Sequence, residues 1–575
     1  MRISKDQLMA ILFLAPSFLL IIIFVYGFIG WTGWVSISNW NSLVQDMSFA
    51  GLKNYLYLFG DYRFQADLRN TVFFTILFIG FVIILGLGLA ILLDQTKKAN
   101  AIFRNIFLFP MALSFVVTGV VWQWLLNPST GFNQFLQVFG IQPKWYTDTN
   151  ILAGFQWGSI EFGLPVAMIA VVIAAVWQMT GFSLAMYVAG LTGIPDELRE
   201  AARIDGAGEW QIYRKVILPM LTPITMSVII IMAHISLKIF DLIYAMTGSG
   251  ANFVTDVPGV YMFETTFRGN YYANGAAIAI IMLLLVAVFI VPYLINSRRG
   301  GIILMVIRKI AKYVVLIAVA IFFLTPVYVM VITSVKPLDE VSLSEMWTLP
   351  SAIDFASYSE AFTRLAPNFM NSLYLVIPAT LLSAILGAMN GYVLSKWRFR
   401  GSEIIFTMIL FGMFIPYQSI LIPLIQFLNQ IGLYNSIIGL IFTHVVYGLP
   451  ITTLMFRNFY ANIPPESMIE AAKVDGASFL GIFRLIILPL SITGFVVVAI
   501  WQFTNIWNEF LFAVTITNSD AQPVMVALQN LSGSQIVQWN VQMAGALLAA
   551  MPTLLVYILL GKYFVRGLLA GSVKG

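Results

Sequence analysis

Apolar runs of about 20 residues, the length needed to cross a bilayer core of roughly 30 Å, recur along the chain with short polar stretches between them. They predict helical spans near 8–36, 71–93, 106–127, 164–191, 218–244 and 274–296 in the first half. In the second half they lie near 312–335, 371–395, 404–427, 436–456, 488–513 and 542–562. The fold class implied is an all-α polytopic membrane protein. The first run follows the charged start MRISKDQ, as in a signal peptide. It is too long for one and no small-residue cleavage site follows cleanly, so it reads as a retained span.

Basic residues orient the spans. With the N-terminus inside, 23 of the 31 Lys and Arg residues fall in inner loops or at inner span ends, Arg2, Lys97, Lys98, Arg298, Arg299, Arg308, Arg398 and Lys574 among them. The opposite topology inverts that ratio, so both termini are expected in the cytoplasm. Six spans per half is an even number, so both halves enter the membrane in the same sense, giving two parallel six-helix halves. The expected domains are 1–300 and 301–575. The junction INSRRGGIILMVIRKIAKYVV closes one half at Arg298-Arg299, hinges at Gly300-Gly301 and restarts at Met305 with a basic cluster, as if two ancestral subunits had been joined.

Composition agrees with lipid as the main solvent. Of 575 residues 60% are hydrophobic and 10% charged, against about 25% charged in a soluble domain. The net charge is +5, but the basic residues sit in short loops rather than on one soluble face, which argues against nucleic acid as a partner. There is no cysteine, which excludes disulfides and thiolate metal sites.

One polar sentence is written twice. EAARIDGAGEWQIYRKVILPML begins at Glu200 and EAAKVDGASFLGIFRLIILPLS at Glu470, 270 residues later, each between the fourth and fifth spans of its half. In the loop at 194–217, Pro195 suits a first helical turn, Asp196 and Glu197 complement the helix dipole, and Gly206 is placed to end the helix. The loop at 464–487 repeats the plan with Pro465, Glu466, Lys473 and Gly476. An interfacial helix lying on the membrane would satisfy one copy. Amphipathicity alone would not keep Gly206 and Gly476 in register, so the two copies favour a specific role.

The pattern EAA-x-x-D-G-A…I-x-L-P resembles the cytoplasmic loop of binding-protein-dependent ABC importer permeases. Both halves resemble the maltose-type pair of the carbohydrate-uptake branch. LKIFDLIYAMTGSG in the first half is similar to the family's segment after span 5, with Gly-Ser-Gly where Gly-Gly-Pro is common. IPYQSILIPLIQFLNQIGLYNS, WNEFLFAVT and the tail VRGLLAGSVKG in the second are similar to the second permease subunit. The resemblance implies an ABC type I importer transmembrane fold in a prokaryotic cell (inner) membrane. It implies that Glu200, Ala201, Ala202, Asp205 and Gly206 form one coupling helix, and Glu470, Ala471, Ala472, Asp475 and Gly476 the other, each docking in an ATPase subunit. The tail from Gly571 to Gly575 would also reach that interface. The chain has no G-x-x-x-x-G-K-[ST] phosphate loop, so it is not expected to be an enzyme or to bind a cofactor itself. ATP and Mg would be bound by two partner ATPase subunits, and a solute-binding protein would deliver a small sugar-like substrate from outside.

Polar groups inside a membrane mark a pathway or serve as packing glue. Span 4 offers Trp177, Gln178, Met179 and Thr180; span 3 offers Phe115, Thr118 and Trp122; span 5 offers His234, Ser236 and Lys238. The resemblance places Gln178, Met179 and Phe182 where a maltose-type first subunit contacts sugar. A regular helix from Pro219 would carry Lys238 about 28 Å onward, near the outer boundary, where its spacing from Asp241 allows an ion pair. Glu509 would lie at similar depth and read as a local ion pair or outer gate. Two histidines in different halves, His234 and His444, make metal chemistry improbable.

The main rival is an ion-gradient-driven secondary sugar carrier, which also uses two parallel six-span halves. It would show more mid-span ionisable residues and gives no reason for a doubled loop. The sequence shows neither the paired carboxylates or His cluster at one depth that a membrane-embedded enzyme would need nor the filter-like segment of a channel. The expectation is therefore alternating access, with a monosaccharide, a disaccharide or a glycosyl-polyol such as glucosylglycerol as the solute.

Overall fold

The computed structural model describes residues 5–95, 100–296, 309–342, 345–397, 399–531 and 538–572. Arg2, Lys97, Lys98, Arg298, Arg299, Arg308, Arg398 and Lys574, the Gly300-Gly301 hinge, Met305 and the last three residues of the tail lie outside them.

Helices dominate. In the first half the principal ones begin with α1 (Lys5–Ser36), α2 (Tyr62–Asp94), α3 (Asn100–Leu108) and α4 (Phe115–Leu125). A hairpin of β1 (Ile151–Trp157) and β2 (Ile160–Pro165) follows. Then come α5 (Val166–Thr192), α6 (Asp196–Ile204), α7 (Glu209–Met220), α8 (Thr222–Leu237) and α9 (Tyr272–Asn296). The second half has α10 (Lys309–Ser334), α11 (Ala356–Lys396), α12 (Ser402–Phe411), α13 (Leu421–Gln430) and α14 (Ile437–Asn462). It ends with α15 (Glu466–Val474), α16 (Phe479–Leu490), α17 (Ile492–Asn508) and α18 (Trp539–Ser572). Among the described residues seven helices are long and apolar enough to cross a membrane singly, and four bent helix pairs are each apolar enough to form a broken span or a re-entrant loop. A shorter apolar helix, Tyr272–Val288, lies within α9.

The bends are the main departure from straight spans. α3 and α4 meet at 103°, and the corresponding elements of the second half at 106°. A tight turn at Phe109–Ala112 containing Pro110, followed by extended Leu113 and Ser114, makes the first break. Ser114 then caps α4 by accepting from the Val117 N–H at 3.1 Å, satisfying one of the N–H groups that a buried helix start leaves without an intrahelical partner. α7 and α8 bend by 60°, α16 and α17 by 72°. Each pair has a five-residue π turn just before its Leu-Pro, at Tyr213–Ile217 and Phe483–Ile487. A proline cannot donate to the carbonyl four residues back, so the path is irregular there. The regular rise from Pro219 to Lys238 does not exist. Lys238 closes α8 and Asp241 opens a separate short helix, Asp241–Met246, so the two do not share one helical face.

The chain divides into two compact units. The first comprises Met1–Val35, Pro367–Val524 and Leu555–Gly571. Here α1 packs on second-half elements. Phe13 meets Phe479 and Phe483 edge-on at 5.2 and 5.4 Å, and the Tyr26 hydroxyl donates to the Met408 carbonyl at 2.8 Å. α11 and α14 touch at Gly387, where an added Cβ would lie 2.5 Å from Thr452; such small residues let spans approach in lipid, where packing drives association.

The second unit comprises Ser36–Ala366, Met525–Leu554 and Ser572–Gly575. α10, from the second half, packs here on first-half helices, with Phe323 5.2 Å from Phe107. α2 and α5 close through Gly86, where a Cβ would meet the Ser183 Oγ at 2.3 Å. At the start of α2, Arg63 donates to Asp256 (2.5 Å) and Glu264 (2.6 Å) and lies over the Tyr261 ring at 4.4 Å. The hairpin, absent from the sequence reading, lies against α2. Phe162 contacts Phe73 at 5.6 Å, and Arg69 donates to the Glu161 carbonyl at 3.1 Å.

Candidate functional site

The two repeated loops fold alike. α6 and α15 each span nine residues, and each begins after a proline, Pro195 or Pro465, in extended conformation. The prolines thus sit just before the first turn rather than within it. Both helices end in the same way. The Gly206 N–H donates to the Arg203 carbonyl at 3.0 Å and the Ala207 N–H to the Ala202 carbonyl at 2.9 Å. In the second loop, Gly476 donates to Lys473 at 3.1 Å and Ala477 to Ala472 at 2.9 Å. This pair of bonds satisfies the last carbonyls and needs a left-handed residue one position past the cap. Gly206 and Gly476 both have φ of +79°.

Glu200, Ala201, Asp205 and Gly206 are exposed and Ala202 is half-buried; Glu470, Ala471, Asp475, Gly476 and Ala472 follow the same pattern. Two apolar pairs that the sequence reading did not single out stand on the same helices. Ile204 and Val474 are 86% and 87% exposed, and Leu198 and Met468 are 41% and 44% exposed. Their signal was present in the sequence: an apolar side chain at matching positions of two otherwise polar helices.

Each helix is tied to the end of its own half's second span. Arg199 donates to Asp94 at 2.8 Å, and the Tyr213 hydroxyl donates to the same carboxylate oxygen at 2.9 Å. In the second loop Lys396 pairs with Glu466 at 3.3 Å and donates to the Pro464 carbonyl at 3.1 Å, while the Lys473 ammonium lies 4.3 Å from the Trp397 ring centroid.

The residues expected to meet substrate fall into two groups. Trp122 and Trp177 are buried and meet edge-on at 5.9 Å, and the Trp177 indole N–H donates to the Phe323 carbonyl at 3.2 Å. Gln178 donates from Nε2 to the Leu113 carbonyl at 2.8 Å, which is one of the groups freed by the break between α3 and α4. Its Oε1, the Trp122 Nε1 and the Thr118 Oγ1 are buried without a hydrogen-bond partner. Phe182 is buried, whereas Phe115 and Met179 are half-buried. On α8, His234 and Ser236 are buried, and the Ser236 Oγ accepts from Thr75 at 3.0 Å; Lys238 is half-buried at the helix end. Glu509 caps the short helix Leu511–Ile516, accepting from the Phe512 N–H at 2.7 Å, and its other oxygen lies 3.6 Å from His444. Among the described residues no group of three or more His, Asp or Glu is placed to hold a metal ion.

A family model described as binding-protein-dependent transport system inner membrane component matches residues 80–299 and again 379–569. A probable ABC transporter permease protein of Pyrococcus horikoshii is 48% identical over 265 residues, 46% of this chain and 96% of its own length. A second probable permease protein of the same organism is 38% identical over 304 residues, 52% of this chain and 99% of its own. A xylose/arabinose import permease protein of Haloferax volcanii is 36% identical over 286 residues, 46% of this chain and 92% of its own.

Proposed function

The chain belongs to the binding-protein-dependent transport system inner membrane components, and from that premise we propose that it forms the whole translocation pathway of an ATP-driven importer for a sugar-like solute. On this reading 1–300 and 301–575 are two permease subunits in one chain. Each relative is covered almost entirely by about half of this chain, and the family model matches twice, which supports that division.

The observation that carries the proposal is the doubled loop. Two nine-residue helices share the same left-handed glycine stop and an exposed apolar residue at the same position, Ile204 and Val474. One exposed apolar side chain is ordinary on a solvated helix; the same feature at the same position of both helices is what a pair that enters two like clefts would keep. We assign α6 and α15 as the elements that dock on two cytoplasmic ATPase subunits. Those subunits would bind ATP and Mg, and both termini of this chain would be cytoplasmic. ATP-driven closure of the pair moves both helices and opens the spans outward, where a solute-binding protein releases its load. Hydrolysis returns them. The cycle works only if the two states differ in affinity for solute and for nucleotide-bound partners.

The names of relatives such as the xylose/arabinose permease support a carbohydrate-like substrate, of monosaccharide, disaccharide or glycosyl-polyol class. The unpartnered Thr118 Oγ1, Trp122 Nε1 and Gln178 Oε1 offer the hydrogen-bonding groups that sugar hydroxyls need, and the Trp122–Trp177 pair offers aromatic surface for sugar C–H faces. The test is reconstitution with candidate ATPase subunits and solute-binding proteins, followed by a solute screen. Solute-stimulated hydrolysis and uptake are expected. Accumulation on a proton or sodium gradient without the ATPase subunits would overturn the proposal.

A further inference from the structure

Asp94 is the last residue of α2 and Lys396 the last residue of α11; each is the inner end of its half's second span. Each makes the side-chain tie to its own loop helix, with reversed polarity. In the first half the span supplies the acid and the helix the base, Asp94 with Arg199. In the second the span supplies the base and the helix the acid, Lys396 with Glu466. The residues used on the helices also differ in position: Arg199 is the fourth residue of α6 and Glu466 the first of α15. The chemistry and the register have both changed between the repeats while the link itself is present in each.

We propose that Asp94 and Lys396 are positioning residues that carry the displacement of α6 and α15 to the second spans, each through an ion pair that holds the helix at a set angle. The proposal rests on α6 and α15 being the docking helices. α6 is exposed along most of its length and so is α15 apart from the fully buried Ile469, so a push on α6 leaves through its chain ends or through a side tie, and a push on α15 through these and the packing of Ile469. The ties are suited to that load. Asp94 and Arg199 are both largely buried, whereas in the second tie Lys396 is buried and Glu466 is 62% exposed; ion pairs sheltered from solvent are screened less by salt than exposed ones, so the first tie is the less salt-sensitive of the two. Tyr213, on the helix leading into the bent fifth span, donates to the same Asp94 oxygen. The carboxylate therefore joins three elements, α2, α6 and α7. In the second half the Lys396 ammonium also holds the Pro464 carbonyl, and Lys473 over Trp397 adds a second grip on the residue after α11.

The experiment uses the full chain assembled with its ATPase subunits and solute-binding protein in proteoliposomes, reading solute transported per ATP hydrolysed. Asp94→Asn and Lys396→Glu are expected to lower that ratio by about tenfold, the size of a typical inter-site coupling, with ATP hydrolysis retained. Asp94→Glu keeps the charge and is expected to stay near the parent. The charge-exchanged pair K396E with E466K is expected to recover most of the ratio lost in K396E alone. Ratios at the parent level in Asp94→Asn and Lys396→Glu would overturn the proposal, as would failure of the exchanged pair to recover in monodisperse, assembled protein. Because the chain has no cysteine, Ile204→Cys and Val474→Cys report docking separately by cross-linking to the ATPase subunits. Cross-linking with an unchanged ratio in the tie variants refutes only the ties. Absence of cross-linking from both positions refutes the docking reading and the ties with it.

Discussion

Gly206 and Gly476 have the same left-handed backbone, φ +79°, and at each nothing lies within 4 Å of where a Cβ would sit. The requirement is therefore conformational and not steric. Valine at either position strains the backbone by about 1–2 kcal/mol and should redirect the chain leaving the helix. Asparagine, which tolerates this conformation, should not. Expected is a graded series in ATPase co-purification and uptake: parent, then Asn close behind, then Val strongly reduced. Normal uptake by both valine variants would remove these loops from coupling.

Ile204 and Val474 stand almost fully in solvent, so replacing either by serine should change the chain's own thermal stability little, within about 0.5 kcal/mol. Burial of one such side chain in a partner is worth roughly 1.5–3 kcal/mol, which is at least about tenfold in affinity. Titration of ATPase subunits against Ile204→Ser and Val474→Ser in detergent checks this. Unchanged affinity in both would place these side chains outside the contact.

Trp122→Phe removes an indole N–H that has no protein partner, so the fold should be unharmed. Uptake should show a severalfold higher KM if the group serves a solute hydroxyl. Gln178→Ala acts differently, because it strands the Leu113 carbonyl. Loss of that bond should cost about 1–3 kcal/mol of stability in addition to any effect on uptake. A Trp122→Phe variant with parental KM would leave that tryptophan a packing residue.

Arg63 holds two carboxylates, Asp256 and Glu264. Arg63→Met leaves the buried Asp256 side chain without its cation, and breaking such a pair costs on the order of 3 kcal/mol. The variant should unfold at clearly lower temperature in detergent than the parent. The double variant with Asp256→Asn should regain part of the loss.

The spans were readable because hydropathy reports length in lipid directly, and the loop helices because a glycine stop and a proline start repeat in register 270 residues apart. The bends between α3 and α4 and between α7 and α8 were not, because hydropathy is blind to direction: Pro110, Pro219 and Pro223 permit a bend without stating its angle. The hairpin escaped notice because β1, ILAGFQW, has no clean alternation of apolar and polar residues and is exposed on nearly every position. The candidate substrate residues were legible as a set but not by role. One-dimensional spacing could not show that Gln178 spends its amide on a carbonyl freed by a bend, or that Trp177 binds a backbone group of a helix nearly 150 positions away.

Phe13 finds its aromatic neighbours at Phe479 and Phe483, so a membrane segment of the first half is seated on residues that are synthesised much later. It must wait in lipid, stable there because its backbone bonds are internal, until most of the polypeptide has been inserted. Assembly is thus ordered by topology: neither repeat can finish alone, and a break in translation after the midpoint would strand an inserted helix with no seat.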